Sequence, residues 1–521
     1  MTESLEDKIT QAGGAVRMLR SSQAGAYPFP IPAQFTTWQD EQKSWHETAV
    51  LFDQSHHMTD VYFEGPDVRR LLSDVAVNSF AAFGPMKAKQ LIVCNEEGRF
   101  VGDAILFGLA DEKVSIVGSP GTANWVSFQA EQGGYDVTIS RDERTLANAG
   151  ERLIFRYQVQ GPRALDVVSA AHGGRLPRIK FFNIGAFDIA GVEVQALNHT
   201  MVGIPGEEKT GLEIWGPRES GSRVLEALLA AGQEYGLQQG GAMAYSTTAL
   251  ESGWLGLPVP GIYAGASTKA YREWLPAQGY EARASLGGSF TSDDINDYVP
   301  TPYDLSYANV IKFDHDFIGA DALRRLQAGP RRRKVWLRWN REDVTQLLGD
   351  ALYSPEQDRP RYLQTPYAVY ATFQYDAIVH AGRAVGFSNR TGYTVNVGAW
   401  SSLGMIDEEQ AVDGNEVTVV WGDPEAARLR PIVEPHALRE VRAVVSTRPL
   451  ALQQPRHTSP GLNASWSGPA RVALFVDYDK ALDHAGRITP SPAASASWRS
   501  PSCSSRPCSR HTGEPDSPEC Q

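Results

Sequence analysis

Cysteine is scarce in this chain, and its scarcity excludes two kinds of stabilising site. Four cysteines occur among 521 residues, and three of them, Cys503, Cys508 and Cys520, lie close to the end of the sequence. Cys94 stands alone in the remaining part, so neither a disulfide framework nor a zinc site can be assembled around it. We therefore expect a cytoplasmic protein without a metal site.

Long apolar runs and large basic blocks are also missing. No segment approaches the roughly 20 apolar residues of a membrane helix, and residues 1–20 lack the basic-then-apolar order of a signal peptide. The net charge of −12 disfavours a nucleic-acid partner, because phosphates would be repelled. The largest basic run, residues 331–334 (RRRK), is typical of a solvated linker. Neither a membrane nor a nucleic acid is expected as a partner.

The composition that remains is that of a globular enzyme with two or three domains. Hydrophobic residues make up 42% of the chain and charged residues 21%. Short apolar runs predict strands, and amphipathic segments predict helices between them. The predicted strands are 60–64, 90–94, 104–107 and 155–159, and the predicted helices are 67–74, the segment after Pro162 and 222–235. This pattern indicates an α+β fold, because strands and helices do not alternate regularly.

The chain changes character twice along its length. Beyond the basic run, short strands predicted at 335–339, 366–370, 384–387 and 416–421 are separated by Gly, Asn and Asp turns, which favours a small β-barrel. From about residue 451, Ser, Pro, Arg and Ala dominate without an amphipathic period. We expect a body at 1–330, a C-terminal β-barrel at 331–450, and a disordered or non-native tail at 451–521.

Three short phrases carry the functional information: residues 250–254 (LESGW), 271–276 (YREWLP) and 312–319 (KFDHDFIG). The first places a carboxylate beside a glycine and a large aromatic, which suits a heterocycle that is both stacked and hydrogen-bonded. In this order and spacing, the phrases resemble the folate-binding aminomethyltransferase family of the glycine-cleavage T-protein. Within that family, the chain is most similar to tetrahydrofolate-dependent O-demethylases of the vanillate, 3-O-methylgallate and syringate type.

The resemblance covers roughly residues 13–446 and implies a fold, a cofactor and a reaction. The fold would be a tripartite folate-binding body followed by the barrel, and the cofactor would be tetrahydrofolate. The reaction would transfer the methyl group of a lignin-derived methoxylated aromatic to tetrahydrofolate, giving a phenol and 5-methyltetrahydrofolate. Two alternatives stay open: a sulfonium or N-methyl donor, or a folate-binding protein without catalysis. The sequence does not indicate an oligomeric state.

Five residues match cofactor-binding positions of the family. The resemblance implies that Glu251 holds the pterin, whose N–H donors converge on a carboxylate. Glu213 and Gln160 would line the folate cleft, and Trp254 and Trp274 would form its aromatic walls. The ordinary alternatives are surface glutamates and aromatic core residues.

Three further residues match positions near the reacting atoms. Asp103, after the glycine-rich turn of residues 98–103, matches an aspartate close to the reacting folate nitrogens, although an aspartate beside glycine often only caps a turn. Tyr245 would assist the leaving phenolate, because a tyrosine hydroxyl donates a hydrogen bond while neutral. His57 matches a position around the aromatic substrate, with a buried structural imidazole as the alternative.

The substrate side departs from the O-demethylase pattern at two positions. Tyr27 matches the family, but Phe29 stands where relatives carry tyrosine. Ser119 stands where they carry an arginine that pairs with the substrate carboxylate, and a serine cannot form a bidentate pair. Either another base takes over this role, or the substrate is not the usual aromatic acid.

Overall fold

The computed structural model describes residues 3–202, 211–329, 331–425, 429–430 and 432–453, which belong to one compact unit. Residues 454–521, which hold most of the predicted tail, lie outside the described residues. The α-helices are α1 (Leu5–Ala12), α2 (Ala15–Ser21), α3 (Trp38–Glu47), α4 (Val68–Val75), α5 (Pro120–Gln132), α6 (Ala164–His172), α7 (Gly221–Gly232), α8 (Ala242–Tyr245), α9 (Thr248–Ser252), α10 (Lys269–Trp274), α11 (Ala320–Leu326) and α12 (Arg341–Tyr353). In this part of the chain, no helix has the length and apolar character needed to cross a membrane.

Nineteen strands are described, and most of them pair antiparallel. They are β1 (Ala49–Asp53), β2 (Thr59–Glu64), β3 (Ala88–Cys94), β4 (Phe100–Ala110), β5 (Lys113–Gly118), β6 (Thr138–Asp142), β7 (Ile154–Gln160), β8 (Ile184–Ile189), β9 (Val192–Asn198), β10 (Gly211–Pro217), β11 (Leu237–Gly240), β12 (Leu286–Gly287), β13 (Arg332–Trp339), β14 (Phe373–Gln374), β15 (Asp376–His380), β16 (Arg383–Thr394), β17 (Ala399–Asp407), β18 (Glu416–Trp421) and β19 (Arg439–Ser446).

Two sheets form the body. One is a five-stranded antiparallel sheet in the order β3-β4-β5-β2-β6, with β4 inside it and β6 at its edge. The other has the order β11-β1-β7-β10-β9-β8 and is antiparallel except where β1 pairs with β11. Helix α5 packs closely on β4 at Gly102, where a Cβ atom would lie 2.3 Å from the Thr122 hydroxyl and only glycine leaves enough space. The predicted α+β class is confirmed.

Six strands close a barrel in the order β13-β17-β16-β15-β18-β19. Alternate residues of these strands point inward, so apolar side chains on β13, β18 and β19 build one core. Trp336 on β13 donates its indole N–H to the carbonyl of Leu250 at 2.9 Å. A Cβ at Gly253, whose φ is +73°, would meet the Trp336 ring at 2.1 Å, so the 250–254 segment packs tightly on the barrel.

Two local predictions fail. Residues 366–370 form no strand, and only Tyr367 makes an isolated bridge, to Gly392; Pro366 has no N–H to give to a ladder. The basic run is no solvated linker either, since β13 begins at Arg332 and Lys334 is 6% exposed. Lys334 donates to the Gly253 carbonyl at 2.7 Å, and burial lowers its pKa to about 8.

Candidate active site

A large cavity lies where the two sheets and the barrel meet. Its volume is about 1120 Å³, which exceeds the roughly 300–1,000 Å³ of an ordinary small-molecule pocket. Side chains from all three parts line it, including Asp103 on β4, Glu213 on β10, Tyr245 at the end of α8 and Asn389 on the barrel strand β16. This space can hold a substrate and a cofactor together.

Tyr245 is the centre of an aromatic cluster in the cavity wall. The Phe29 ring meets the Tyr245 ring at 5.0 Å and the His57 ring at 5.1 Å, in each case edge to face. Tyr27 packs against Phe29 in the same way at 5.5 Å. Tyr245 lies 188 positions from His57 in the sequence. The fold brings these two predicted catalytic residues together with the predicted substrate residues Tyr27 and Phe29.

Two polar neighbours hold the Tyr245 hydroxyl oxygen. His57 Nε2 lies 2.8 Å from it, and Gln54 donates an amide N–H to it at 3.3 Å. Burial raises the pKa of Tyr245 above its usual value. The phenol is therefore neutral at pH 7 and keeps the proton that a hydrogen-bond donor needs.

His57 is neutral over the physiological range. Burial, with smaller effects from the charges of His56 and Arg156, lowers the pKa of His57 to about 3. Its Nδ1 is buried and has no hydrogen-bond partner among the described residues. A neutral imidazole can donate from Nε2 to Tyr245, which leaves Nδ1 as an acceptor.

The low pKa of His57 predicts a loss of stability in mild acid. Below pH 6.5 the unfolded chain binds a proton at this imidazole, whereas the folded protein resists it down to about pH 3. The stabilising contribution is complete above pH 6.5 and disappears as pH falls toward 3. Urea titrations at pH 7, 6 and 5 measure how the unfolding free energy falls as the pH is lowered. For His57→Gln this fall should be smaller than for the unaltered protein, by up to about 1.4 kcal/mol per pH unit. Parallel curves would contradict this assignment.

Asp103 lies within strand β4 and not at its lip, and three donors meet one of its oxygens. Gln90, Trp254 and Tyr307 all donate to Oδ2, the first two at 2.7 and 3.0 Å. Burial raises the pKa of Asp103, and the three hydrogen bonds act in the opposite direction. The described hydrogen bonds end on Oδ2, so Oδ1 remains available as an acceptor in the cavity that Asp103 lines.

Glu213 belongs to a buried ionic network. Arg156 pairs with Glu213 and with Asp60, and His199 lies 2.6 Å from the second Glu213 oxygen. Burial raises the pKa of Glu213, but the Arg156 and His199 interactions outweigh it and bring the value to about 2. Glu213 therefore presents a fixed negative charge in the cavity wall.

Glu251 and Gln160 are not among the cavity-lining residues. The Glu251 carboxylate is fully buried and receives hydrogen bonds from Trp45 at 2.9 Å and Asn396 at 3.0 Å, with His46 Nε2 2.7 Å away. Glu251 therefore lies outside the cavity lining, and its binding of a pterin stays a prediction. Gln160 is likewise buried, and its amide oxygen accepts from the Met201 backbone.

The two predicted tryptophans both line the cavity. Trp254 donates its indole N–H to Asp103, as described above. Trp274 stacks on Tyr271 with ring centroids 5.9 Å apart and donates to Glu131 at 2.8 Å. Ser119 also lines the cavity, where it precedes α5 without capping the helix through its side chain.

Several polar residues of this wall could not be singled out from the sequence. Gln90 and Tyr307 fix Asp103, and His199 fixes Glu213. Arg144 lines the cavity beside Tyr27. It comes from the charged segment 141–144 (RDER), whose composition is typical of a solvated turn, so only the tertiary structure identifies it.

Comparison with known proteins places this architecture in a family. A GCVT N-terminal domain model matches residues 10–257. The chain is 40% identical over 451 residues to syringate O-demethylase of Sphingobium sp. (strain NBRC 103272 / SYK-6), covering 86% of this chain and 96% of the relative. It is 27% identical over 421 residues to sesamin methylene transferase of Sinomonas sp. (strain No.22), covering 77% and 88%.

A solved structure shares the fold. Aminomethyltransferase T of the glycine cleavage system from Bartonella henselae superimposes with a TM-score of 0.54 at 17% identity, over 82% of this chain and 94% of that one. The molecule is thus a protein of the aminomethyltransferase fold. It belongs to the GCVT domain family, in the branch that includes syringate O-demethylase, and the predicted family is confirmed.

Proposed function

We propose that this protein is a tetrahydrofolate-dependent O-demethylase, which transfers the methyl group of a methoxylated aromatic to tetrahydrofolate. The products are a phenol and 5-methyltetrahydrofolate, and the substrates belong to the lignin-derived aromatics of cytoplasmic catabolism. The observation that carries the proposal is the neutral Tyr245 phenol, set among aromatic rings in a cavity with room for two ligands.

The cavity residues fit a folate. Trp254 and Trp274 provide aromatic surface, and the buried amide oxygens of Gln90 and Asn389 have no hydrogen-bond partner among the described residues. A pterin carries several N–H donors, which suit these acceptors and the carboxylate of Glu213. Tetrahydrofolate, when bound, would supply the nitrogen that takes the methyl group and gives up one proton.

Tyr245 stabilises the leaving group. When the ether O–CH₃ bond breaks, its electron pair stays on the aryl oxygen, and a hydrogen bond from a neutral phenol lowers the cost of that charge. Gln54 donates to the Tyr245 oxygen, and in the tautomer in which His57 Nε2 also donates to it, the Tyr245 proton is free to point at the substrate. The aryl oxygen ends the reaction protonated, so the transfer needs neither oxidant nor reductant.

Asp103 serves the opposite side of the transfer. Its Oδ2 is fixed by three donors, while Oδ1 can accept a proton released in the cavity. Burial raises the pKa of Asp103 and makes it a better base than an exposed carboxylate. Asp103 and Tyr245 thus divide the proton transfers between the two reactants.

An anaerobic assay tests the proposal. Purified protein, tetrahydrofolate and a panel of vanillate, syringate, 3-O-methylgallate and guaiacol are incubated without added metal or reductant. We expect a phenol and 5-methyltetrahydrofolate in equal amounts from at least one compound. Tight folate binding without turnover of any aryl ether would contradict the proposal and direct the search to sulfonium or N-methyl donors.

A further inference from the structure

Arg144 presents a guanidinium group to the cavity without an ionic partner. Within the described residues, no carboxylate forms an ion pair with it, and its Nε is buried without a hydrogen bond. The guanidinium carbon lies 4.7 Å from the centre of the Tyr27 ring and 5.1 Å from that of Tyr280. A half-buried cation between two aromatic rings is well placed to bind an anion.

The other arginines that line the cavity differ from Arg144. Arg141 is engaged by Glu143 at 2.6 Å and by Asn124 at 2.9 Å. Arg390 also has a buried Nε without a hydrogen bond, but its guanidinium donates to the Tyr367 hydroxyl at 2.9 Å, and Arg283 is exposed. Among the described arginines of this wall, Arg144 is therefore the best candidate for a ligand anion.

The position of Arg144 connects it to the reacting end of the cavity. Tyr27, beneath its guanidinium, packs on Phe29, which in turn contacts Tyr245. The Tyr27 hydroxyl is itself buried without a partner among the described residues. An aromatic ring whose ether oxygen meets Tyr245 would thus direct its far edge toward the Arg144 guanidinium and the adjacent Tyr27 hydroxyl.

Arg144 also reaches the neighbourhood of Ser119. Tyr280 lies between the two residues. The Tyr280 ring contacts the Arg144 guanidinium, and the Tyr280 phenol interacts with the Ser119 hydroxyl. Ser119 holds the position at which the resembling O-demethylases carry an arginine. A cation is therefore present in this region of the cavity, although it comes from the loop after β6 and not from the start of α5.

We propose that Arg144 binds the carboxylate of the aromatic substrate, so that this site selects methoxylated aryl carboxylates over neutral methoxyphenols. The inference rests on the proposed function, of which it specifies the substrate class. A guanidinium forms two parallel hydrogen bonds with a carboxylate, and the Tyr27 hydroxyl can add a third. The partial burial of the site strengthens these bonds relative to those made in open solvent.

The test compares an acid with its neutral analogue in the Arg144→Met variant, which removes the charge and keeps an extended apolar side chain. Binding of syringate and of its carboxylate-free analogue syringol is measured by tryptophan fluorescence without folate, and turnover is measured with tetrahydrofolate. We expect syringate binding and kcat/KM to fall roughly 10- to 100-fold, while both quantities for syringol change less than about twofold. Arg141→Met is the matched control and should leave the syringate-to-syringol ratio unchanged.

The outcomes separate this inference from the proposed function. Equal losses for both compounds, or no loss for syringate, would overturn the role of Arg144. If Arg144→Met selectively loses syringate binding and the unaltered protein transfers no methyl group, the carboxylate site is supported and the demethylase reaction is contradicted. A second variant, Ser119→Arg in the Arg144→Met background, should recover part of the syringate preference, because Tyr280 links the two positions.

Discussion

Replacing Tyr245 by Phe should lower kcat by roughly 100-fold or more and leave the dissociation constant of tetrahydrofolate nearly unchanged. The substitution removes one oxygen from a buried ring that packs against Phe29 and His57, so the shape of the site is retained. The loss then falls on the transition state, where the departing aryl oxygen carries charge. Single-turnover measurements on an aryl ether, with folate binding measured separately, provide the two values.

A matched control for this experiment is Tyr375→Phe. Tyr375 is also fully buried and its hydroxyl accepts a hydrogen bond from the Val259 backbone, but it does not line the cavity. The control should keep kcat within about twofold. Undiminished single-turnover rates in Tyr245→Phe would rule out its role as the donor to the leaving oxygen.

Replacing Arg156 by Met should lower the unfolding free energy by about 3–5 kcal/mol. Arg156 is 2% exposed and lies between the Asp60 and Glu213 carboxylates, so its removal leaves buried negative charge with less compensation. Urea denaturation at pH 7 measures the change. Folate binding should weaken as well, since Glu213 loses the partner that orients it.

The exposed pair of Arg218 and Glu151 offers the comparison for Arg156. Both side chains lie largely in solvent, where an ion pair contributes little. Arg218→Met should therefore change the unfolding free energy by less than about 1 kcal/mol. Equal effects of the two substitutions would show that the buried network is not a major source of stability.

Local sequence patterns predict strands of the body correctly, whereas they predict a strand next to the barrel that does not form. Residues 60–64 and 90–94 were predicted as strands because β-branched and aromatic residues follow each other between turn residues, and β2 and β3 contain them. Residues 366–370 have a similar composition, but their pairing with β16 is limited to the single bridge between Tyr367 and Gly392. Such pairing is a tertiary property that a short window cannot reveal.

The site shows the same division between motif and tertiary contact. Tyr245, His57 and Asp103 could be placed in one cavity because they match family positions. The role predicted for Glu251 depends on its carboxylate facing a ligand, and the sequence cannot show that Trp45 and Asn396 donate hydrogen bonds to it away from the cavity lining. Arg144 could not be identified from the sequence, because a charged turn gives no sign that one of its side chains is directed into a cavity.

On the role proposed for Arg144, the edge position of β6 gives this enzyme a route to new substrates. The loop that carries Arg144 follows β6, which is the edge strand of its sheet. Asp103, in contrast, lies on β4, which pairs with a strand on each side. On that role, changes at residue 144 alter which aromatic compound is accepted, whereas Thr145 hydrogen-bonds to His56 and so connects the loop to the segment that carries His57. Libraries that vary residues 143–148 offer a practical starting point for evolving demethylases for other plant-derived feedstocks, and natural variation in ligand preference should concentrate there.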